Sequence, residues 1–112
     1  MELFIARQPI FDTQKNVVAY ELLFRSPGAV TATHTDDTAA TRAVLSNAFL
    51  MMGIDSLTDG QRAFVNFGTA TLLDQVPQLL PANILTVEIL ETVEPTQEVI
   101  NACALLKKAG YT

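Results

Sequence analysis

A polar segment of four residues between two strand-like runs constrains the fold of this 112-residue chain more than any other feature. The runs are LFIARQPIFD at residues 3–12 and VVAYELLFR at residues 17–25, and TQKN separates them. Two strands joined by so short a turn must pair antiparallel, because a parallel connection needs a dozen or more residues. The chain is therefore predicted to begin with a β-hairpin.

Helix and strand patterns alternate after the hairpin. Three helices are predicted: one from a cap at Thr35 or Asp36 to Met52, one over residues 69–80 and one over residues 96–110. Strands are predicted over residues 62–68 and 83–90, and a loop is predicted over residues 55–61. Pro77 is expected to bend or break the second helix, because its ring excludes a helical hydrogen bond. Alternating helices and strands imply a parallel sheet with right-handed crossovers, so the fold class is α/β, with another strand expected near Tyr111. A compact open α/β sandwich remains the alternative.

The composition argues against several classes of function. Acidic residues outnumber basic residues by 12 to 7, and the resulting net charge of −5 argues against binding to nucleic-acid polymers or anionic membranes. No apolar run in the sequence approaches the roughly 18 residues that a membrane span requires. The one cysteine, Cys103, is expected to be a small core residue. A single cysteine cannot form an internal disulfide, which suits a reducing cytoplasm, and we expect the protein to be located there.

Three predicted strands each carry one oxygen-bearing side chain in an apolar setting. These side chains are Glu21, Asn66 and Glu88. An ionised carboxylate in such a setting is costly unless it is paired or bound to a metal, and two converging carboxylates repel unless a cation lies between them. Carboxylate and amide oxygens suit Mg²⁺, Mn²⁺ or Ca²⁺ rather than zinc. The alternative is that each residue is half-exposed at the end or edge of its strand.

Three other polar residues each have two interpretations. Arg25 shares a strand face with Glu21, where it could pair with that carboxylate or contact a phosphate through its planar guanidinium. Gln8 is either a residue at a strand end or a ligand contact. Glu91 has the opposite strand parity to Glu88, so it either holds a loop or is exposed to solvent.

Four short segments follow one another along the chain: QPIFD at residues 8–12, YELLFR at 20–25, FVNFG at 64–68 and TVEILE at 86–91. Together they resemble the EAL domain family, the bacterial cyclic di-GMP phosphodiesterases. YELLFR resembles the family signature Glu-x-Leu-x-Arg, with Leu22 in place of the usual alanine, and TVEILE has Leu90 in place of the usual threonine. The first two segments are most similar to the subgroup in which an EAL domain precedes an HDOD domain.

This resemblance implies a (β/α)₈ barrel of the TIM type whose first strand pair is antiparallel, in agreement with the predicted hairpin. Such a barrel typically needs about 250 residues, so residues 1–112 would form the N-terminal part of one EAL-like domain, in the order β-β-α-β-α-β-α. The remainder of the barrel and any HDOD domain would be absent. The strand at residues 83–90 would then have an open edge, and we expect the chain to self-associate through it.

The resemblance also assigns roles to the polar residues. The ligands of Mg²⁺ or Mn²⁺ would be Glu21, Asn66 and Glu88. The residues that contact the dinucleotide would be Gln8, Leu23 and Arg25. Glu91 would support a catalytic loop. In the family, two metal ions activate a water molecule that attacks one phosphodiester, and the product is linear pGpG.

Two functional hypotheses follow from the resemblance. The chain stops before the family's Asp-Asp-Phe-Gly strand, its catalytic lysine and its later glutamate, so we expect these residues to be inactive alone. The favoured hypothesis is a degenerate regulatory module of cyclic di-GMP signalling, which binds nucleotide or a protein partner without hydrolysis. The alternative is that the full-length protein is a metal-dependent cyclic di-GMP phosphodiesterase.

Overall fold

The structure, a computed structural model, describes residues 4–25 and 53–112. Its strands are β1 (Phe4–Phe11), β2 (Val17–Arg25), β3 (Arg62–Phe67) and β4 (Leu85–Ile89). Its helices are α1 (Ile54–Thr58), α2 (Thr69–Leu73) and α3 (Gln97–Lys108), with a 3₁₀ turn at Val76–Leu79. The predicted helix that ends at Met52 lies outside the described residues, as does its cap.

The predicted hairpin is confirmed. β1 and β2 pair antiparallel, with Gln8 directly opposite Glu21. The carboxylate of Asp12 organises the turn, because its Oδ1 atom accepts the N–H groups of Gln14 and Asn16 at 2.8 and 2.9 Å. Hydrogen bonding to the Asn16 backbone is the main cause that lowers the pKa of Asp12. The charged form of this side chain therefore stabilises the turn that joins the two strands.

The parallel sheet is also confirmed. β2, β3 and β4 pair parallel in the order in which they occur along the chain, and β1 lies at the edge. Alternate residues of β3 are buried, because they face the helices that connect the strands. The buried core contains Leu22, Ala63, Val65, Phe67 and Leu85 from the strands and Leu72, Val76, Leu80, Val99 and Leu106 from the connecting segments. In residues 4–25 and 53–112 the fold is therefore an α/β sheet, and helices cover the face that carries this core.

Two local predictions need correction. The segment predicted as a loop at residues 55–61 begins in a helix, because α1 spans Ile54–Thr58. The break after α2 occurs earlier than Pro77, since Gln75 adopts the left-handed conformation with φ of 60°. Pro77 instead lies within the 3₁₀ turn, where its fixed φ and missing N–H are tolerated.

The last described residues hold α3 against the sheet. Thr96 caps the helix through a hydrogen bond from the N–H of Val99, and Gly110 follows the helix with φ of 99°. The hydroxyl of Tyr111 then donates to the carbonyl of Leu80 at 2.6 Å. The carbonyl of Thr112 accepts the N–H of Val87 at 2.8 Å, so strand-like pairing begins on the free side of β4.

Two further properties of the described residues bear on the sequence predictions. Cys103 is a free cysteine that is half-buried against the core, rather than fully within it. Within residues 4–25 and 53–112, no helix is long and apolar enough to cross a membrane.

Candidate functional site

The three oxygen-bearing side chains predicted on separate strands come together on one face of the sheet. Asn66 of β3 lies directly opposite Glu88 of β4 in the parallel register. The Nδ2 atom of Asn66 donates to Oε2 of Glu21 on β2 at 3.1 Å. Because the alternate residues of β3 are buried on the helix side, Asn66 must point to the opposite face, where it is half-buried.

The electrostatics of this cluster are unbalanced. Burial is the main cause that raises the pKa of Glu88, and hydrogen bonding to Glu21 and repulsion from its charge act in the same direction. The Oε1 atom of Glu88 is buried and has no hydrogen-bond partner among the described residues. Two adjacent carboxylates can be accommodated in such a setting if they share a proton or bind a cation. Among the described side chains, no cation forms a salt bridge with either carboxylate, so the cluster has the properties of an anionic site that can accept a cation.

The oxygen atoms of this cluster are of the type that hard divalent cations bind. Glu21 and Glu88 supply carboxylates, and rotation of the Asn66 amide by half a turn would exchange its nitrogen for its oxygen. These ligands are few, because the described part of the chain contains no group of three or more histidine, cysteine, aspartate or glutamate residues that could hold a metal ion. These three residues could thus supply part of the coordination of Mg²⁺ or Mn²⁺, which requires additional ligands.

The residues predicted to contact a dinucleotide lie near this cluster in the hairpin. Gln8 faces Glu21 across the antiparallel pair and is exposed. Leu23 follows Glu21 by two residues on the same strand face and is half-buried. The backbone of Arg25 pairs with that of Phe4, and its side chain lies outside the description. The two interpretations of Arg25 therefore both stay open.

Glu91 does not join the cluster. It lies exposed in the turn after β4, next to Leu90, whose N–H donates to the carbonyl of Phe67 at 3.1 Å. This position matches the alternative of solvent exposure. Support of a loop by Glu91 stays a prediction.

Sequence reasoning missed one residue on the same sheet face. Arg62 begins β3 four residues before Asn66, and its side chain is half-buried. Its Nη1 atom donates to the carbonyl of Leu85 at 2.9 Å and lies 3.3 Å from Oγ1 of Thr86. The available signal was strand parity, because residues 62, 64 and 66 share one face.

A second polar cluster, which sequence reasoning also missed, connects the hairpin to α1. The guanidinium of Arg7 lies 4.7 Å from the centroid of the Tyr20 ring and forms an ion pair of 3.3 Å with Asp59. The hydroxyl of Tyr20 donates to the same carboxylate at 3.0 Å, and this bond is the main cause that raises the pKa of Tyr20. Arg7 also donates to the carbonyl of Leu57. The charges of Arg7 and Asp59 thus satisfy each other, which indicates that this cluster stabilises the fold.

Two known proteins are similar to almost the whole chain. An uncharacterised protein of Bacillus subtilis strain 168, YuxH, is 41% identical over 111 residues, which are 99% of this chain and 27% of YuxH. The cyclic di-GMP phosphodiesterase CdgJ of Vibrio cholerae serotype O1 is 36% identical over 110 residues, which are 96% of this chain and 25% of CdgJ. The chain thus spans about a quarter of the length of both relatives. No protein-family model matches it.

Proposed function

We propose that this chain is part of a cyclic di-GMP signalling protein and acts there as a regulatory module that binds nucleotide or a protein partner. Its similarity to a cyclic di-GMP phosphodiesterase over 96% of its length supports the signalling role. The observation that carries a binding function is the buried Oε1 atom of Glu88, which has no hydrogen-bond partner among the described residues. Such an atom is costly to maintain unless a ligand satisfies it.

The ligand at the cluster would be Mg²⁺ or Mn²⁺. The carboxylates of Glu21 and Glu88 would hold it with the amide oxygen of Asn66, and the remaining positions would be filled by water or nucleotide oxygens. Gln8 and Leu23 share the sheet face of Glu21 and would contact the dinucleotide bound beside the metal. A metal in this position would let an acidic protein bind an anionic nucleotide.

A second candidate function is hydrolysis of cyclic di-GMP by a longer protein that contains this chain. The name of the Vibrio cholerae relative favours it. When bound, the metal would supply a Lewis acid and an activated water for cleavage of one phosphodiester. Arg25 would then orient a phosphate, and Glu91 would hold a loop near the reacting groups. The regulatory function is preferred because the family signatures are substituted in this chain, with Leu22 in place of the usual alanine and Leu90 in place of the usual threonine.

Binding and turnover can be measured in parallel. Cyclic di-GMP and Mn²⁺ would be added to this chain and to the full-length protein, with calorimetry for binding and chromatography for pGpG. The regulatory proposal predicts binding without pGpG in both. Formation of pGpG by the full-length protein, and its loss in Glu21→Ala, would instead establish the enzyme. Turnover that survives Glu21→Ala would overturn the assignment of Glu21 as a metal ligand. Absence of cyclic di-GMP binding in both proteins would contradict nucleotide binding and hydrolysis, and would leave a protein partner as the ligand of the regulatory module.

The fold proposal is that the four strands are the N-terminal part of a (β/α)₈ barrel in one EAL-like domain. Three features support it: an antiparallel first pair, two successive parallel pairs, and polar side chains collected near the carboxyl ends of β3 and β4. In barrels of this type, functional residues lie at that end of the strands.

Self-association at β4 is also part of the proposal. On the side away from β3, Val87 donates to Thr112, and Ile89 beyond this bond is 49% exposed. Exposed strand edges recruit other strands, so a second copy is expected to pair at Ile89 after displacing Thr112. Sedimentation should show an association that rises with concentration and that Ile89→Lys removes. A native chain that stays monomeric at every concentration would contradict this expectation.

A further inference from the structure

Arg62 connects two neighbouring strands on the face that carries the candidate metal ligands. It occupies the first position of β3 and reaches β4, where its Nη1 atom lies 2.9 Å from the Leu85 carbonyl and 3.3 Å from Oγ1 of Thr86. Thr86 lies two residues before Glu88, so its side chain shares the face of Glu88. The guanidinium therefore contacts β4 one side-chain layer below Glu88.

The hydrogen-bond pattern of β4 shows that Arg62 crosses the whole strand. The carbonyl of Ile84 and the N–H of Leu90 face β3, because the first accepts the N–H of Ala63 and the second donates to the carbonyl of Phe67. In a parallel ladder the groups of alternate residues point to opposite sides, so the carbonyl of Leu85 points away from β3. Arg62 must pass Thr86 to reach it. The side chain thus contacts β4 at two places: the Thr86 side chain on the face of the sheet, and the Leu85 carbonyl on the edge away from β3.

The contact of Arg62 adds to the β3 pairing that fixes the register of β4. The strand has five residues, and β3 is the strand that pairs with it in the described part of the chain. A shift of one residue would move Glu88 to the helix-covered face, away from Asn66. A charged donor that binds a fixed carbonyl of β4 opposes this shift, because the bond would have to break first.

We propose that Arg62 is a positioning residue that sets the register of β4 and so holds Glu88 opposite Asn66. The role of Glu88 in binding a metal rests on the proposed function. The effect of Arg62 on the register does not, since it concerns contacts present in the metal-free chain. The two can therefore be tested separately.

The test compares Arg62→Met, Arg62→Lys and a control, Arg7→Met, which removes a cation from the other polar cluster. Amide hydrogen exchange of the metal-free chain would be measured at Glu88 and Leu90. Arg62→Met should accelerate exchange at both amides about tenfold, the scale expected when bonds from a charged donor are lost. Arg62→Lys should recover most of the protection, because its ammonium also donates to a carbonyl. Arg7→Met should leave both amides within about twofold of the native rate.

Mn²⁺ affinity provides the second readout. Arg62→Met should weaken Mn²⁺ binding about tenfold, as is typical for loss of a residue that orients a metal ligand. Native-like exchange at Glu88 and Leu90 in Arg62→Met would overturn the inference. So would an equal acceleration at Leu72 in the core, since that would reflect global destabilisation. If the native chain binds no Mn²⁺, the metal proposal fails, while the exchange rates still decide the role of Arg62.

Discussion

The two polar clusters of the sheet differ in how their charges are balanced. In the outer cluster, Arg7, Tyr20 and Asp59 satisfy one another through an ion pair, a ring contact and a hydrogen bond. In the inner cluster, the Glu21 and Glu88 carboxylates converge, and the Asn66 amide is bonded to one of them. Within residues 4–25 and 53–112, no described cationic side chain forms a salt bridge with either carboxylate. The outer cluster needs nothing further to be stable. The inner cluster is costly as it stands, and this difference is the reason why we propose it as the place where a ligand binds.

A cation introduced into the inner cluster should abolish the difference in charge balance between the two clusters. We expect this change to have the largest effect on the stabilisation of the chain by Mn²⁺. Glu21→Lys supplies a positive charge beside Glu88 and removes a proposed metal ligand. At about 100 times its dissociation constant, Mn²⁺ should raise the free energy of unfolding of the native chain by about 2.7 kcal/mol. It should add nothing to Glu21→Lys. Denaturant unfolding with and without Mn²⁺ measures both values, and equal Mn²⁺ stabilisation of both chains would contradict the comparison.

The pH dependence of stability should sharpen the comparison, with a smaller effect. The pKa of Glu88 is raised in the folded chain, so the folded chain holds this proton over a pH range in which the unfolded chain has lost it. The stabilising contribution is fully present below the unfolded value of 4.5, and it is lost as pH rises through the folded pKa. Thermal unfolding of the metal-free chain between pH 4 and pH 8 should therefore show a decline that Glu88→Gln reduces. An identical pH profile in Glu88→Gln would argue against the shift.

The smallest effect is expected in the outer cluster. Asp59→Asn removes an ion pair between side chains that are 44% and 60% exposed. Exposed pairs contribute about 1 kcal/mol or less, so the free energy of unfolding should fall by no more than that. Mn²⁺ affinity should not change, because this cluster is satisfied without a ligand. A loss of Mn²⁺ affinity comparable to that of an inner-cluster variant would remove the distinction between the two.

Much of the sheet could be predicted because short-range rules determine it. The four-residue turn forces the antiparallel hairpin, and the alternation of elements gives the parallel pairs. An oxygen-bearing side chain in an apolar setting on each of three strands was enough to select Glu21, Asn66 and Glu88 as candidates. Their meeting on one face follows from the parallel register, which aligns Asn66 with Glu88.

The missed features depend on contacts that no local pattern encodes. Helix α1 has five residues, too few for a helical period to be visible. Arg62 binds a backbone carbonyl 23 residues away, and carbonyl groups carry no sequence signal. Arg7 and Asp59 are 52 residues apart and meet through the packing of α1 against the hairpin. Each of these contacts becomes visible once the strands are placed.

The most direct test of the central claim is the Mn²⁺ affinity of the native chain and of two matched variants, measured by calorimetry. Glu88→Gln removes an inner carboxylate, whereas Glu94→Gln removes an exposed carboxylate in the loop before α3. The account predicts that Glu88→Gln weakens Mn²⁺ binding about a hundredfold and that Glu94→Gln leaves it unchanged. Native-like affinity in Glu88→Gln, or equal losses in both variants, would contradict the claim that the inner cluster holds a metal.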